Sequence, residues 1–271
     1  WMTAPREPRA RPVWPLVRVL LSTQYAYMLE YRAEIALWAL SGVLPLIMLG
    51  VWTGSGAGEA AGFTPAMLTR YFLAAFVVRQ FTVVWVIHVF EEDNLQGRLS
   101  PFLLQPLHPF WRYLAAHVAE QVTRVPFVAA LLALLFLLQP SLLWWPHPAD
   151  VFWGVLATVA AFILRFLLQG VIAMACFWSE RALALERLLL IPYLFLSGLV
   201  APLETFPPGV RAFALATPFP YTVAFPARVL MGAEVNLGAG FLGLALWSGL
   251  FLILFLLLWR VGIRRYSAMG A

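Results

Sequence analysis

Among the 271 residues there is no lysine; all 18 basic residues are arginine. A phosphate-binding loop of the G-x-x-x-x-G-K-[ST] type and Schiff-base catalysis both need lysine, so this chain carries neither. GC-rich coding is a sufficient cause of the absence. Charge of either sign is scarce as well: 11% of residues are charged, against about 25% in a soluble domain. One cysteine, Cys176, excludes an intrachain disulfide, and a lone Cys in an apolar run is ordinary packing. The four histidines (His88, His108, His117 and His147) lack metal spacing such as H-x-x-x-H. The adjacent Glu91 and Glu92 have no partner acid that marks a general acid–base site. The net charge is +5, but nucleic-acid binding needs a basic face outside the apolar segments, so no nucleic-acid partner is expected.

What the sequence has instead is apolar length and aromatic rings. Hydrophobic residues make up 62%, aromatics 15%, and there are twelve tryptophans, which suits interfacial aromatic belts. A membrane-spanning helix needs about 20 mostly apolar residues. Six such runs are read at 33–52, 67–90, 113–138, 151–178, 185–200 and 237–259. The fifth is short and contains Pro192, which predicts a kink or tilt. The fold class is therefore all-α, a polytopic membrane protein with six transmembrane helices. Residues 1–12 are Arg- and Pro-rich without a cleavage site, so the first apolar run is expected to stay in the membrane. Residues 14–29 read as a helix with Val17, Leu20, Leu21 and Met28 on one face. It lies in the membrane interface or is an early start of the first span. The organisation is thus 1–32 (N-terminus with the interfacial helix), 33–259 (one transmembrane domain) and 260–271 (tail).

Arginine placement predicts orientation. With the N-terminus inside, the inner segments hold Arg6, Arg9, Arg11, Arg18, Arg32, Arg98, Arg112, Arg181, Arg187, Arg260, Arg264 and Arg265. The outer segments then hold only Arg211 and Arg228. Such a bias puts both termini in the cytoplasm, and the expected location is the inner membrane of a bacterium.

Two connections are unusual. The inner one, 91–112, opens with Glu91, Glu92 and Asp93 and continues Gly97-Arg98-Leu99-Ser100-Pro101-Phe102-Leu103. Ser100 followed by Pro101 is a helix-start signal, and Leu99, Phe102, Leu103 and Leu107 share one predicted face. An apolar helix on that side either seats in a partner's groove or lies on the lipid surface. The outer connection, 201–236, is apolar yet holds six prolines (Pro202, Pro207, Pro208, Pro218, Pro220 and Pro226). It cannot be one helix, so two short helices near 209–216 and 223–231 are predicted to dip into the outer leaflet.

Some polar residues fall within the spans. Arg79 and Arg165 sit near the middles of the second and fourth runs, where an arginine costs roughly 2.5–3.5 kcal/mol on insertion scales. With Gln169 they are candidates to line a substrate pathway, touching an anionic or zwitterionic headgroup; the alternative is structural pairing with carbonyls or with a carboxylate of a partner subunit. Glu120 and Arg124, four apart with the acid first, suit an intrahelical structural pair. His88 reads as an interfacial residue.

The arrangement resembles the type-2 ABC exporter permeases. It shares their N-terminal interfacial helix, six spans, acid-then-Gly-Arg-Leu-Ser-Pro loop after span two and proline-broken outer segment. The stretch Gly97 to Leu107 looks like the branch of small permeases usually encoded in pairs beside an ATPase. The resemblance implies a coupling helix, with Glu91, Glu92, Asp93, Gly97, Arg98, Leu99, Phe102 and Leu103 meeting a cytoplasmic ATPase subunit. It implies a second permease, identical or homologous, a substrate path between the two, and a hydrophobic or amphipathic cargo exported across lipid. Catalytic residues are none, and so are cofactors in this chain, ATP and Mg being bound by the partner. The competing readings are a membrane-embedded lipid-modifying enzyme and a non-transporting membrane scaffold.

Overall fold

The computed structural model describes residues 13–179 and 181–266. The basic opening with Arg6, Arg9 and Arg11, together with Glu180 and the last five residues of the tail, lies outside the described residues. Among the described residues the chain is all-α with no strand. The helices are α1 (Val13–Glu30), α2 (Arg32–Ser41), α3 (Leu44–Gly54), α4 (Ala57–Ala60), α5 (Pro65–Phe81), α6 (Val86–Leu95), α7 (Leu99–Leu103), α8 (Phe110–Leu138), α9 (Pro148–Ala173), α10 (Leu183–Leu196), α11 (Pro208–Leu215), α12 (Ala224–Leu230) and α13 (Leu237–Gly262).

Five segments are long and apolar enough to cross a membrane: Arg32–Gly54, Pro65–Leu95, Phe110–Leu138, Pro148–Phe177 and Leu237–Gly262. The protein is a polytopic helical membrane protein. Its outward faces carry bare apolar side chains such as Leu134, Leu137, Val155, Leu246, Ile253 and Leu257, which water would penalise and lipid does not. The expected fifth span, 185–200, corresponds to α10, which is not among these five. Its 14 residues extend about 21 Å at 1.5 Å per residue, short of the roughly 30 Å hydrocarbon thickness.

The chain stops being helical after α10 for a local reason. Gly198 adopts a left-handed φ of 84°, and a side chain there would run into the Tyr71 hydroxyl and Ala224, so glycine alone fits. Tyr71 Oη donates to Gly198 O at 2.7 Å, and Trp52 Nε1 donates to Val200 O at 2.9 Å. Beyond this turn α11 and α12 form the two short helices expected from the prolines. Val223, Ala227 and Leu230 bury against Leu68, Tyr71 and Ala74 of α5. An ion pair of 2.9 Å from Arg228 to Glu204 pins the segment at its surface.

The second span is the hub. In its most apolar window 61% of the residues are buried inside the protein, against 17% for α8 and α13. Here the continuous helix expected over 67–90 is interrupted: α5 ends at Phe81 and α6 begins at Val86. A break at membrane depth frees backbone groups that lipid cannot satisfy, and α8 supplies their partners. Arg124 Nη1 donates to Gln80 O at 2.9 Å and Gln121 Nε2 to Phe81 O at 2.9 Å. The Trp85 N–H donates to His117 Nε2 at 2.7 Å. Arg124 is 2% exposed and is ion-paired to Glu120 one turn earlier, the expected pair serving this break. The first span is also broken, between α2 and α3, and Gln80 Nε2 donates to Ala39 O beside that break at 2.8 Å. α1 runs along α8, and α13 and α12 pack on α9.

Candidate coupling surface and intramembrane polar row

The connection that follows α6 is a built platform. Gly97, at φ 69°, ends α6 as left-handed glycines do, and Arg98 folds back to bond Glu92 at 2.9 Å and Asp93 at 2.9 Å. Those bonds, Glu92's first, raise the Arg98 pKa above its usual value. The other oxygen of Asp93 accepts from the Tyr113 hydroxyl at 2.8 Å. Glu91 accepts from the Leu183 N–H at 2.8 Å and so caps the start of α10. Asn94 Nδ2 donates to Cys176 O at 3.2 Å. The acidic opening thus ties α6 to α8, α10 and the end of the fourth span.

Helix α7 forms two residues earlier than the Ser100–Pro101 signal predicts, at Leu99 with Arg98 before it. Leu99 is fully buried among Phe90, Phe110, Tyr113 and Phe177. Leu103 packs on the edge of the same core. Phe102 lies under the Arg112 guanidinium at 3.8 Å. The face holding Leu99 is therefore turned into the chain itself, because α6, α8 and the turn after α9 already present an aromatic nest there. The platform shows to solvent Glu92, Leu95, Gln96, Arg98, Pro101, Leu104, Gln105, Pro106 and Trp111, Leu104 being 88% exposed. Behind it His108 rests on Trp259 at 4.4 Å between ring centres, and burial lowers its pKa.

Arg79, Arg165 and Gln169 lie along one row, which Tyr193, Glu186 and the interfacial His88 complete. Tyr193 of α10 lies near both arginines, with Arg165 Cζ 4.0 Å and Arg79 Cζ 5.9 Å from its ring centre. Gln169 Nε2 donates to Glu186 Oε1 at 2.7 Å, and Glu186 Oε2 lies 3.5 Å from His88 Nδ1. A polar row therefore runs from half-exposed His88, at the α7 end of the bundle, through Glu186, Gln169 and Arg165 to Tyr193 and Arg79 at mid-span. Gln169 and Tyr193 are 4% and 5% exposed. Arg79 Nη1, Arg165 Nε, Gln169 Oε1 and the Tyr193 hydroxyl are buried without hydrogen-bond partners. Arg165, Gln169, Glu186 and Tyr193 line an open cleft of about 40 Å³. Glu186 and Tyr193 could not be found from sequence, since nothing local links them to partners that precede them by 17 to 114 positions.

A family model described as ABC-2 family transporter protein matches residues 46–270. Among curated proteins no match is found.

Proposed function

The chain belongs to the ABC-2 transporter family, and from that premise we propose that it is a six-span permease subunit driven by a separate cytoplasmic ATPase. α10 serves as the short fifth span, and both termini lie in the cytoplasm of a bacterial cell. The ATPase seats on the outer face of the 91–112 platform. The carrying observation is that this platform is bonded into three spans at once, through Asp93 to Tyr113, Glu91 to Leu183 and Asn94 to Cys176. A surface so tied transmits displacement into the bundle instead of flexing alone.

The transmission path is short. α6 carries the platform at one end and meets the break after Phe81 at the other. Arg79 lies in the last turn before that break. Movement of α6 against α5 thus reaches the polar row directly. A second permease, identical or homologous, faces this row, and an amphipathic substrate passes outward between the two, its polar end along Arg79, Arg165 and Gln169. Affinity purification of the tagged permease tests the reading. A stoichiometric ATPase and a permease partner should accompany it, with hydrolysis lost when the platform is disrupted. A permease that purifies without any nucleotide-hydrolysing chain, from membranes that contain one, removes it.

A further inference from the structure

We infer that the cleft around Tyr193 is a binding site for a compact anionic group, a phosphate, sulfonate or carboxylate carried on an apolar tail. The inference rests on the reading of the polar row as the substrate path and narrows the cargo to anionic amphiphiles. Two guanidiniums converge on one tyrosine ring, yet neither pairs with a carboxylate among the described residues. The nearest acid, Glu186, is already engaged by the Gln169 amide and by His88. Glu186 lines the same cleft but is one carboxylate beside two arginines, so the site keeps a surplus of positive charge.

A cationic surplus at membrane depth is costly unless something neutralises it. Two unbonded buried donors, an Arg165 Nε and the Tyr193 hydroxyl, belong to residues that line the cleft, and an unbonded Arg79 Nη1 belongs to a residue beside the Tyr193 ring, outside that lining. Charge-assisted bonds from guanidinium to oxyanion are the strong kind and suit planar or tetrahedral oxygens. The size agrees. A cleft of about 40 Å³ has room for roughly three water molecules, enough for one oxyanion. The walls beside it are Leu168, Ile172, Leu189 and Leu190, which suit the start of an alkyl tail. A zwitterionic head fits less well, because the one carboxylate that its cation needs is occupied.

The test uses the purified permease–ATPase complex in a neutral maltoside detergent. Three probes share a dodecyl tail: dodecyl phosphate, dodecylphosphocholine and dodecyltrimethylammonium. Saturable binding is followed by the shift in thermal unfolding, read from tryptophan fluorescence. Dodecyl phosphate should bind at least about tenfold more tightly than the other two, about 1.4 kcal/mol, since its head alone is anionic without a cation that the site would have to pair. Arg165→Gln and Arg79→Gln should each remove that preference, and Arg165→Lys should keep part of it. Equal binding of phosphate and phosphocholine, or a preference that survives Arg79→Gln with Arg165→Gln, overturns the anion site. The same result follows if both arginine variants unfold at markedly lower temperature with no probe present, for then a carboxylate of the second permease neutralises them. Failure of the inference is separable from failure of the permease reading. If the preference is absent while the complex still hydrolyses ATP, only the anion site is lost. If the preference is present while ATP hydrolysis by the complex does not respond to dodecyl phosphate, the site stands and the path reading falls.

Discussion

Leu104 and Leu99 are five residues apart in one loop and should respond to substitution in opposite ways. Leu104 is 88% exposed, so Leu104→Asp removes almost no internal packing, and its effect on stability should stay within about ±0.5 kcal/mol. If the ATPase seats on this face, an apolar anchor at its centre costs about 2 kcal/mol or more on loss, which weakens docking roughly 30-fold. Leu99 is fully buried; Leu99→Ala leaves a cavity under α7 and should destabilise the permease by about 2–5 kcal/mol. Two readouts separate these effects on the same preparations. Thermal unfolding followed by fluorescence should drop for Leu99→Ala and hold for Leu104→Asp. Titration of the purified ATPase, at a temperature where both variants are folded, should show weakened binding for Leu104→Asp and near-normal binding for Leu99→Ala. Unchanged ATPase affinity in Leu104→Asp refutes the assignment of the docking face.

Arg124→Met should lower stability by about 3–5 kcal/mol, because it strands Glu120 and the Gln80 carbonyl in a buried setting; adding Glu120→Gln should recover part of the loss in the same melting assay. Gly198→Ala should destabilise by about 1–3 kcal/mol through its positive φ and the Tyr71 contact, whereas Gly209→Ala, in a helix with open space around it, should be neutral or stabilising. For His108 the lowered folded-state pKa means that the unfolded chain takes up the proton first. Its contribution is complete above the ordinary histidine range near 6.5 and is lost as pH falls below it. Melting temperature measured from pH 8 to pH 5 should therefore fall less steeply in His108→Gln than in the parent.

The helical frame was legible because its signals are local. The runs ending at Leu138 and beginning at Leu237 are bounded by Gln139-Pro140 and Asn236, and prolines 207 and 208 open α11 as prolines do at first turns. The break after Phe81 was not legible. Thr82-Val83-Val84-Trp85 has no glycine or proline, and what holds it open is Arg124, Gln121 and His117 of a different helix. The 91–112 connection was half legible: its acids and its short helix were expected, but the turn at Gly97 was not, and which face turned inward depended on the Phe90, Phe110 and Phe177 nest. The arginines of the polar row stood out by charge alone. Tyr193 and Glu186, which decide what those arginines leave unneutralised, did not, since a tyrosine in an apolar helix and an acid at a helix start are both commonplace.

The direct test of an ATPase-driven permease is photo-crosslinking in native membranes from a photoreactive residue placed at position 104, with position 99 as the control. An ATPase-driven permease yields an adduct from position 104 with a soluble nucleotide-hydrolysing chain, and none from the buried position 99. Adducts with lipid alone from position 104, in membranes where that ATPase is abundant, would contradict the coupling surface and the function built on it.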